Sequence, residues 1–500
     1  MVAIPRRDVL RWSALAGGAL PMAAILAACS SDRPSTTPTS HAPTTVGADP
    51  SKPWWLQGNF GPVAQEIEAF DLEVLGALPP ELSGLYVRNG SNPPRKNSSH
   101  WFFGDGMVHG VQLANGKAES YRNRYVHTSM YDSNADFGDS VPGKGANQAN
   151  VSVVWHGNRL LTSGEVGFPH EIAATDLSTI GVHDFEGKLT TAFTAHPKID
   201  PATGKMHFFG YGFTPPFLTY HVADSNGSLV HSEVVEIPNS TMIHDFAITE
   251  HDVIFWDLPV LFDLASAIKW IEEPESGVFP YKWDPSAGAR VGVMPLGGPA
   301  TRIQWFDIDP CYAFHGVNAF RRGPDVVLDI CRLSSMFDSN DVLAGDLSLR
   351  RWTMNTASNT FSDEVIVEGP ESGELPSRDP RRTGREHRYG YFVGTRDNPN
   401  TVEFGGLIKH DYSNDRREVW DPGPTKHANE WTFVPSIDND TSDDAGWLIC
   451  YVHDESTSKS ELVVLDATNI KGGPVAQVPL PQRVPYGFHG TWVPSRSGGS

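Results

Sequence analysis

From residue 80 onward, short runs of alternating apolar and polar residues are punctuated by Asn-, Asp- and Gly-containing turns. "GMVHGVQL-ANGK-AESYRNRYV" predicts a hairpin closed at Asn115-Gly116, and "VSVVW-HGN-RLLTSG" one closed at Gly157-Asn158. "AHPKI-DPATGK-MHFFGYGF" turns at Asp200–Lys205, and "FLTYHVA-DSNG-SLVHSEVVEI" at Asn226-Gly227. "LICYVHDESTSKSELVVLDA" repeats the arrangement near the end. Period-two alternation around such turns is the signal of antiparallel strands. Helical periodicity is scarce, and residues 260–272, "VLFDLASAIKWIE", are its best candidate, with Asp263 and Lys269 marking a solvated face. Hairpins recurring without a linker predict one large antiparallel array. A propeller protects its sheet edges by radial repetition. Seven blades of roughly 60 residues fit the length, although no clean sequence repeat marks them.

The first residues break this pattern. "PRRDVLRW" carries Arg6 and Arg7 ahead of the apolar run "SALAGGALPMAAILAACS", which is short for a membrane span and suits an export signal of twin-arginine type. "LAAC", residues 26–29, resembles a lipobox and marks Cys29 as a lipidation site. A plainly cleaved signal and an uncleaved anchor are the alternatives. Residues 30–52 are rich in Ser, Thr and Pro and read as a tether. Three parts are therefore expected: a signal over 1–29, the tether over 30–52 and a propeller domain over 53–500. The expected location is outside the cytoplasmic membrane, lipid-anchored to its outer face; an unused signal would leave the chain in the cytoplasm.

The formal net charge of −21 argues against nucleic acid as a partner, because that binding needs basic patches. If Cys29 is lipidated, Cys311, Cys331 and Cys450 remain, and their scatter is no zinc knuckle. Buried free thiols are expected, with a Cys311–Cys331 disulfide as the alternative.

Among 19 histidines, four stand in constrained settings: His196 in "TAHPKID", His244 in "MIHDFAITE", His315 in "AFHGVNAF" and His489 in "YGFHGTW". Each joins an apolar run to Pro, Asp or Gly, as at the inner end of a strand. Their wide separation suits no local finger, whereas strands converging on a propeller axis would bring them together. Four imidazoles would suit Zn, Cu, Fe or Ni, so the ligands alone do not choose a metal. Separate structural histidines are the competing reading. A ligating imidazole also needs a partner for its second nitrogen, commonly a carboxylate. Glu165 in "TSGEVGFP", Glu374 in "GELPSRD" and Glu430 in "NEWTFVP" have the apolar, aromatic or proline neighbours expected of such carboxylates.

At these residues the chain resembles the carotenoid cleavage oxygenase family. The likeness is carried by "GLYVRNGSNP" (84–93), "FGDGMVHGV" (103–111), "TAHPKIDPATGKMHFFGY" (194–211), "MIHDFAITEHDVIFWDLPV" (242–260), "FHGVNAF" (314–320), "GREHRYGY" (384–391), "SELVVLDA" (460–467) and "VPYGFHGTWVP" (484–494). It implies an all-β, seven-bladed β-propeller with one Fe(2+) on the axis and a cap of loops and short helices over the top face. The iron positions fall on His196, His244, His315 and His489, and the outer carboxylates on Glu165, Glu374 and Glu430. His489 would deliver the last ligand as the ring closes.

The implied reaction uses O2 to split one carbon–carbon double bond of a hydrophobic polyene, a carotenoid or apocarotenoid, into two carbonyl products. Stilbene-cleaving relatives place a Lys where this chain aligns Met130, which disfavours phenolic stilbenes. Stilbene cleavage, isomerisation or ester chemistry on the same scaffold, and a non-catalytic ligand-binding propeller are the alternatives. A calcium-dependent hydrolytic propeller is excluded by the nitrogen donors. The resemblance also implies tight backbone turns at Gly104 and Gly106, an apolar tunnel wall or core packing for Trp101–Phe103, and a nonpolar lip as a second reading of 260–272. A lipid anchor would bring the enzyme to membrane-dissolved substrate.

Overall fold

The computed structural model describes Asp49 and residues 52–94, 98, 100–135, 144–273, 278–337, 345–396, 403–437 and 442–495. The expected export signal, with Cys29, lies outside the described residues. No helix among the described residues is long and apolar enough to cross a membrane.

The strands form a seven-bladed propeller. The second to sixth blades are four-stranded meanders over residues 152–182, 198–234, 247–308, 316–368 and 374–420. The first and seventh blades close the ring by exchanging termini. In the first, Gly84–Ser91, Gly106–Ala114 and Lys117–Tyr125 are flanked outside by Glu68–Leu72 and inside by the C-terminal Gly490–Pro494. In the seventh, Gly446–Asp454, Lys459–Asp466 and Pro474–Pro479 receive Leu75–Gly76 at their outer edge.

The predicted turns are present for chemical reasons. Asn115 and Gly116 both take positive φ (51° and 73°), as do Gly157 and Asn158 (55° and 61°), the conformation that a two-residue turn between twisted strands requires. Position within the blade sets the pattern of burial. Gly84–Ser91 is buried at every position because both its faces meet neighbouring blades. Thr360–Glu368, an outermost strand, is mostly exposed and carries Asp363, Glu364 and Glu368, which blunt the edge. No single core fills the molecule. Each blade-to-blade interface has its own apolar cluster, such as Trp256, Val291 and Phe306 against Leu328, Ile330 and Trp352 between the fourth and fifth blades.

Two expectations change. The 260–272 segment is split: Val260–Phe262 is a strand paired with Tyr281–Trp283, and the helix runs only over Leu264–Glu272. Asp263 is the N-cap, accepting from the Ser266 N–H at 2.8 Å, and so marks the helix start rather than its solvated face; Lys269 is exposed as expected. Gly104 is extended (φ −90°, ψ 158°), so tight turning is not its role. A Cβ there would stand 2.3 Å from the Ser91 hydroxyl, and one on Gly106 would stand 2.4 Å from the Ala149 carbonyl oxygen. Close backbone approach requires these glycines. As expected, Cys311, Cys331 and Cys450 are free and buried, and the alternative Cys311–Cys331 disulfide does not form.

Candidate metal centre

Each blade sends one of the seven singled-out residues to the axis. His196, His244, His315 and His489 stand just before the innermost strands of the third, fourth, fifth and first blades, which begin at Lys198, Ala247, Gly316 and Gly490. Glu165 lies in the loop after Arg159–Ser163 of the second blade, Glu374 opens the sixth, and Glu430 precedes Thr432–Pro435 of the seventh. A strand entering the sheet from the axis fixes the residue ahead of it, and this local geometry is repeated around the ring.

One ring nitrogen from each histidine falls in a group whose members all lie within 4.8 Å of one another. The His196 and His244 Nε2 atoms are 2.9 Å apart, and those of His244 and His315 are 3.3 Å apart. The opposite ring nitrogens face outward to carboxylates. His315 Nδ1 is 2.7 Å from Glu374, His489 Nδ1 is 2.8 Å from Glu430, and His244 Nδ1 contacts Glu165. The carboxylates are themselves held: Tyr211 donates to Glu165 at 2.8 Å, and the Gly490 N–H donates to Glu430 at 2.8 Å. The Leu375 N–H donates to Glu374.

This pattern dictates proton placement. A carboxylate accepting from Nδ1 fixes the proton there and leaves the Nε2 lone pair free. Several such lone pairs meeting in one place repel each other unless a cation lies between them. Nitrogens bound at about 2.1 Å to one ion lie roughly 3 Å apart across a right angle, close to the observed spacings. Burial, followed by the charges of neighbouring imidazoles, holds His196 and His315 well below the ordinary histidine range, so both are neutral. At His244 burial opposes protonation, but Glu165 outweighs it and the net shift is upward. Burial raises Glu374 to about 7. The donor set fits a borderline transition-metal dication, with three carboxylates outside four imidazole ligands.

The sequence reading missed Tyr211 and the largely buried pair Lys198–Asp245, whose charged atoms are 2.6 Å apart and which adjoin His196 and His244 in the chain. The pair's only signal was a charged residue within two positions of a candidate ligand, and Tyr211 carried none. Phe314 stands edge-on to His244, with ring centroids 5.1 Å apart. Trp101 is buried against Phe60 and Phe488, so core packing accounts for it. Phe103 instead joins Trp270 of the Leu264–Glu272 helix and Phe279, with ring centroids 4.7 and 5.1 Å away. Met130 is buried on the short helix Ser129–Asp132.

Residues 60–494 match the family described as Retinal pigment epithelial membrane protein. A carotenoid cleavage oxygenase of Mycobacterium tuberculosis is 35% identical over 513 residues, an alignment that covers 90% of this chain and 100% of the relative. The lignostilbene dioxygenase of Pseudomonas brassicacearum superposes with a TM-score of 0.79 at 28% identity, covering 91% of this chain and 100% of that one. A Synechocystis apocarotenoid oxygenase superposes with a TM-score of 0.78 at 26% identity, covering 88% and 98%.

Proposed function

The chain belongs to the retinal pigment epithelial membrane protein family, and on that premise we propose that it is a dioxygenase that cleaves a carbon–carbon double bond of a carotenoid or apocarotenoid. The cofactor proposed is one Fe(2+) per chain, held by His196, His244, His315 and His489, with O2 as co-substrate. One observation carries the metal reading: three Nδ1 atoms are engaged by Glu165, Glu374 and Glu430, which turns the Nε2 lone pairs of their rings toward a shared centre. Bound there, iron would supply the redox chemistry that lets dioxygen react with an alkene.

The protein's own contribution is placement and exclusion of water. His244, His315 and His489 are each only 8% exposed. Glu165, Glu374 and Glu430 occupy the Nδ1 side of His244, His315 and His489, which leaves Nε2 of each ring as the nitrogen that would bind the metal. Phe314 walls the site with an apolar ring that suits a polyene and offers nothing to hydrogen-bond. No side chain has to act as nucleophile or general acid in this reaction. Met130, buried on its short helix, stands where the resemblance puts the lysine of stilbene-cleaving relatives, and a thioether there would give a phenol no charged partner, which favours a polyene over a phenolic stilbene.

The test is metal analysis joined to turnover. Purified protein loaded anaerobically with Fe(II) is expected to bind one iron and, under oxygen, to bleach the polyene band of an apocarotenoid panel. Product masses then locate the bond. Iron without bleaching moves the search to stilbenes or isomerisation. No bound iron, with His196, His244, His315 or His489 replaceable by Ala at no cost to any activity found, sinks the reading and favours a ligand-binding propeller.

We also propose that residues 1–29 direct export and that Cys29 carries a lipid placing the enzyme at the membrane. Membrane fractionation of wild type and Cys29→Ser tests this, and an unchanged distribution with an unmodified N-terminus rejects it.

A further inference from the structure

Three of the four candidate ligands are joined by a carboxylate that contacts no histidine ring nitrogen. Asp245 follows His244 directly and is 1% exposed. Its Oδ2 accepts from the main-chain N–H of Gly316, the residue after His315, at 3.0 Å. Its Oδ1 accepts from the Lys198 ammonium at 2.6 Å and from the Phe246 N–H at 2.8 Å. Lys198 opens the innermost strand of the third blade, two residues beyond His196. A single side chain therefore ties the third, fourth and fifth blades together where they deliver His196, His244 and His315. The first blade is held in a parallel way, by Glu430 accepting from the N–H of Gly490, the residue after His489.

We propose that Asp245 and Lys198 are positioning residues for the metal, setting the spacing of His196, His244 and His315 before the ion arrives. The proposal rests on the four-histidine metal reading. Its physical basis is that three imidazoles aimed at one another repel in the empty site, so their convergence has to be imposed from outside. A buried ion pair is a poor source of stability, since an apolar replacement is often neutral or better. It does fix geometry, because each charge must stay within reach of its partner. Here both charges sit within two residues of a candidate ligand. Pre-set ligands lose less freedom on binding and take the metal more tightly.

Cobalt(II) is the probe, read in the full-length protein by competition with a chelating dye and by its ligand-field absorption bands. Lys198→Met and Asp245→Asn are expected to weaken cobalt binding ~10–100-fold, the range seen when outer partners of metal ligands are removed, and to move the absorption bands. Lys409→Met is the control. It breaks a second buried pair between blades, Lys409–Asp444 at 2.7 Å, which touches none of the seven site residues. That variant should lose thermal stability yet keep cobalt affinity and spectrum.

The double variant Lys198→Met/Asp245→Asn removes both charges of the pair together, and the nearby Arg378 keeps Asp379. It should regain thermal stability without regaining affinity, and it decides the matter if the single variants do not fold. Wild-type affinity and spectrum in the double variant overturn the proposal, as do folded single variants that weaken binding no more than Lys409→Met does. Wild-type protein that binds neither cobalt nor iron fails at a different point, the metal centre itself.

Discussion

Glu374→Gln should move stability and metal binding in opposite directions. The Glu374 side chain is 15% exposed and accepts from His315 Nδ1 at 2.7 Å. Its other oxygen, Oε1, has no hydrogen-bond partner among the described residues. Burial is the largest influence on it and lifts it from 4.5 to about 7 in the metal-free protein. Between those values the folded chain retains a proton that the unfolded chain has released, so stability falls as pH rises through the window and levels off above it. The accumulated loss is about 3 kcal/mol at pH 8. Glutamine cannot ionise, and its carbonyl oxygen can still accept from His315. Melting metal-free wild type and variant at pH 5 and pH 8 should show the variant gaining a few degrees on wild type at the higher pH. The same variant should bind metal ~10–100-fold more weakly, because a neutral amide makes His315 a poorer donor. A melting difference that is the same at both pH values, or undiminished metal affinity, would refute the reasoning.

Three further outcomes are expected. Gly106→Ala forces its Cβ to 2.4 Å from the Ala149 carbonyl oxygen and should cost about 1–3 kcal/mol by overpacking, measured as a lower urea midpoint. Val493→Asp buries an unpaired carboxylate in the strand that closes the ring, at a position 6% exposed; it should abolish soluble expression or cost about 3 kcal/mol or more, whereas Val493→Ile should be tolerated. Cys311, Cys331 and Cys450 are buried free thiols, and burial pushes Cys311 up to about 11 and Cys450 up to about 12. A thiol reagent should leave all three untouched in the native protein and label them in urea without added reductant; a pair that reacts only after reduction would contradict the free-thiol state.

The hairpins were legible in the sequence because their causes are local. Asn115-Gly116 and Gly157-Asn158 supply the positive φ values their turns need, and alternation assigns one face of each strand to the interior. The seven site residues were legible for a different reason. The four histidines each join an apolar run to Pro, Asp or Gly, the three glutamates have apolar, aromatic or proline neighbours, and a spread of motifs resembling one family ordered all seven along the chain. Their pairing could not be read in this way. Glu165 of the second blade meets His244 of the fourth, and Glu430 of the seventh meets His489 of the first only after the C-terminal strand has returned to Gly84–Ser91. Such contacts depend on ring closure and carry no short-range signature.

The same distinction explains the errors. Val260–Phe262 has an apolar character that suits helix or strand, and its pairing with Tyr281–Trp283 decided for strand. Gly104 and Gly106 looked like turn residues, but their constraint comes from Ser91 and Ala149, which tertiary packing brings close. Lys198 and Asp245 are far apart in the chain, and nothing local distinguishes them from a solvated charge. Local sequence determined the hairpins and the candidate side chains. Only the closed ring decided which charge faces which imidazole, because that requires seven blades to share one axis.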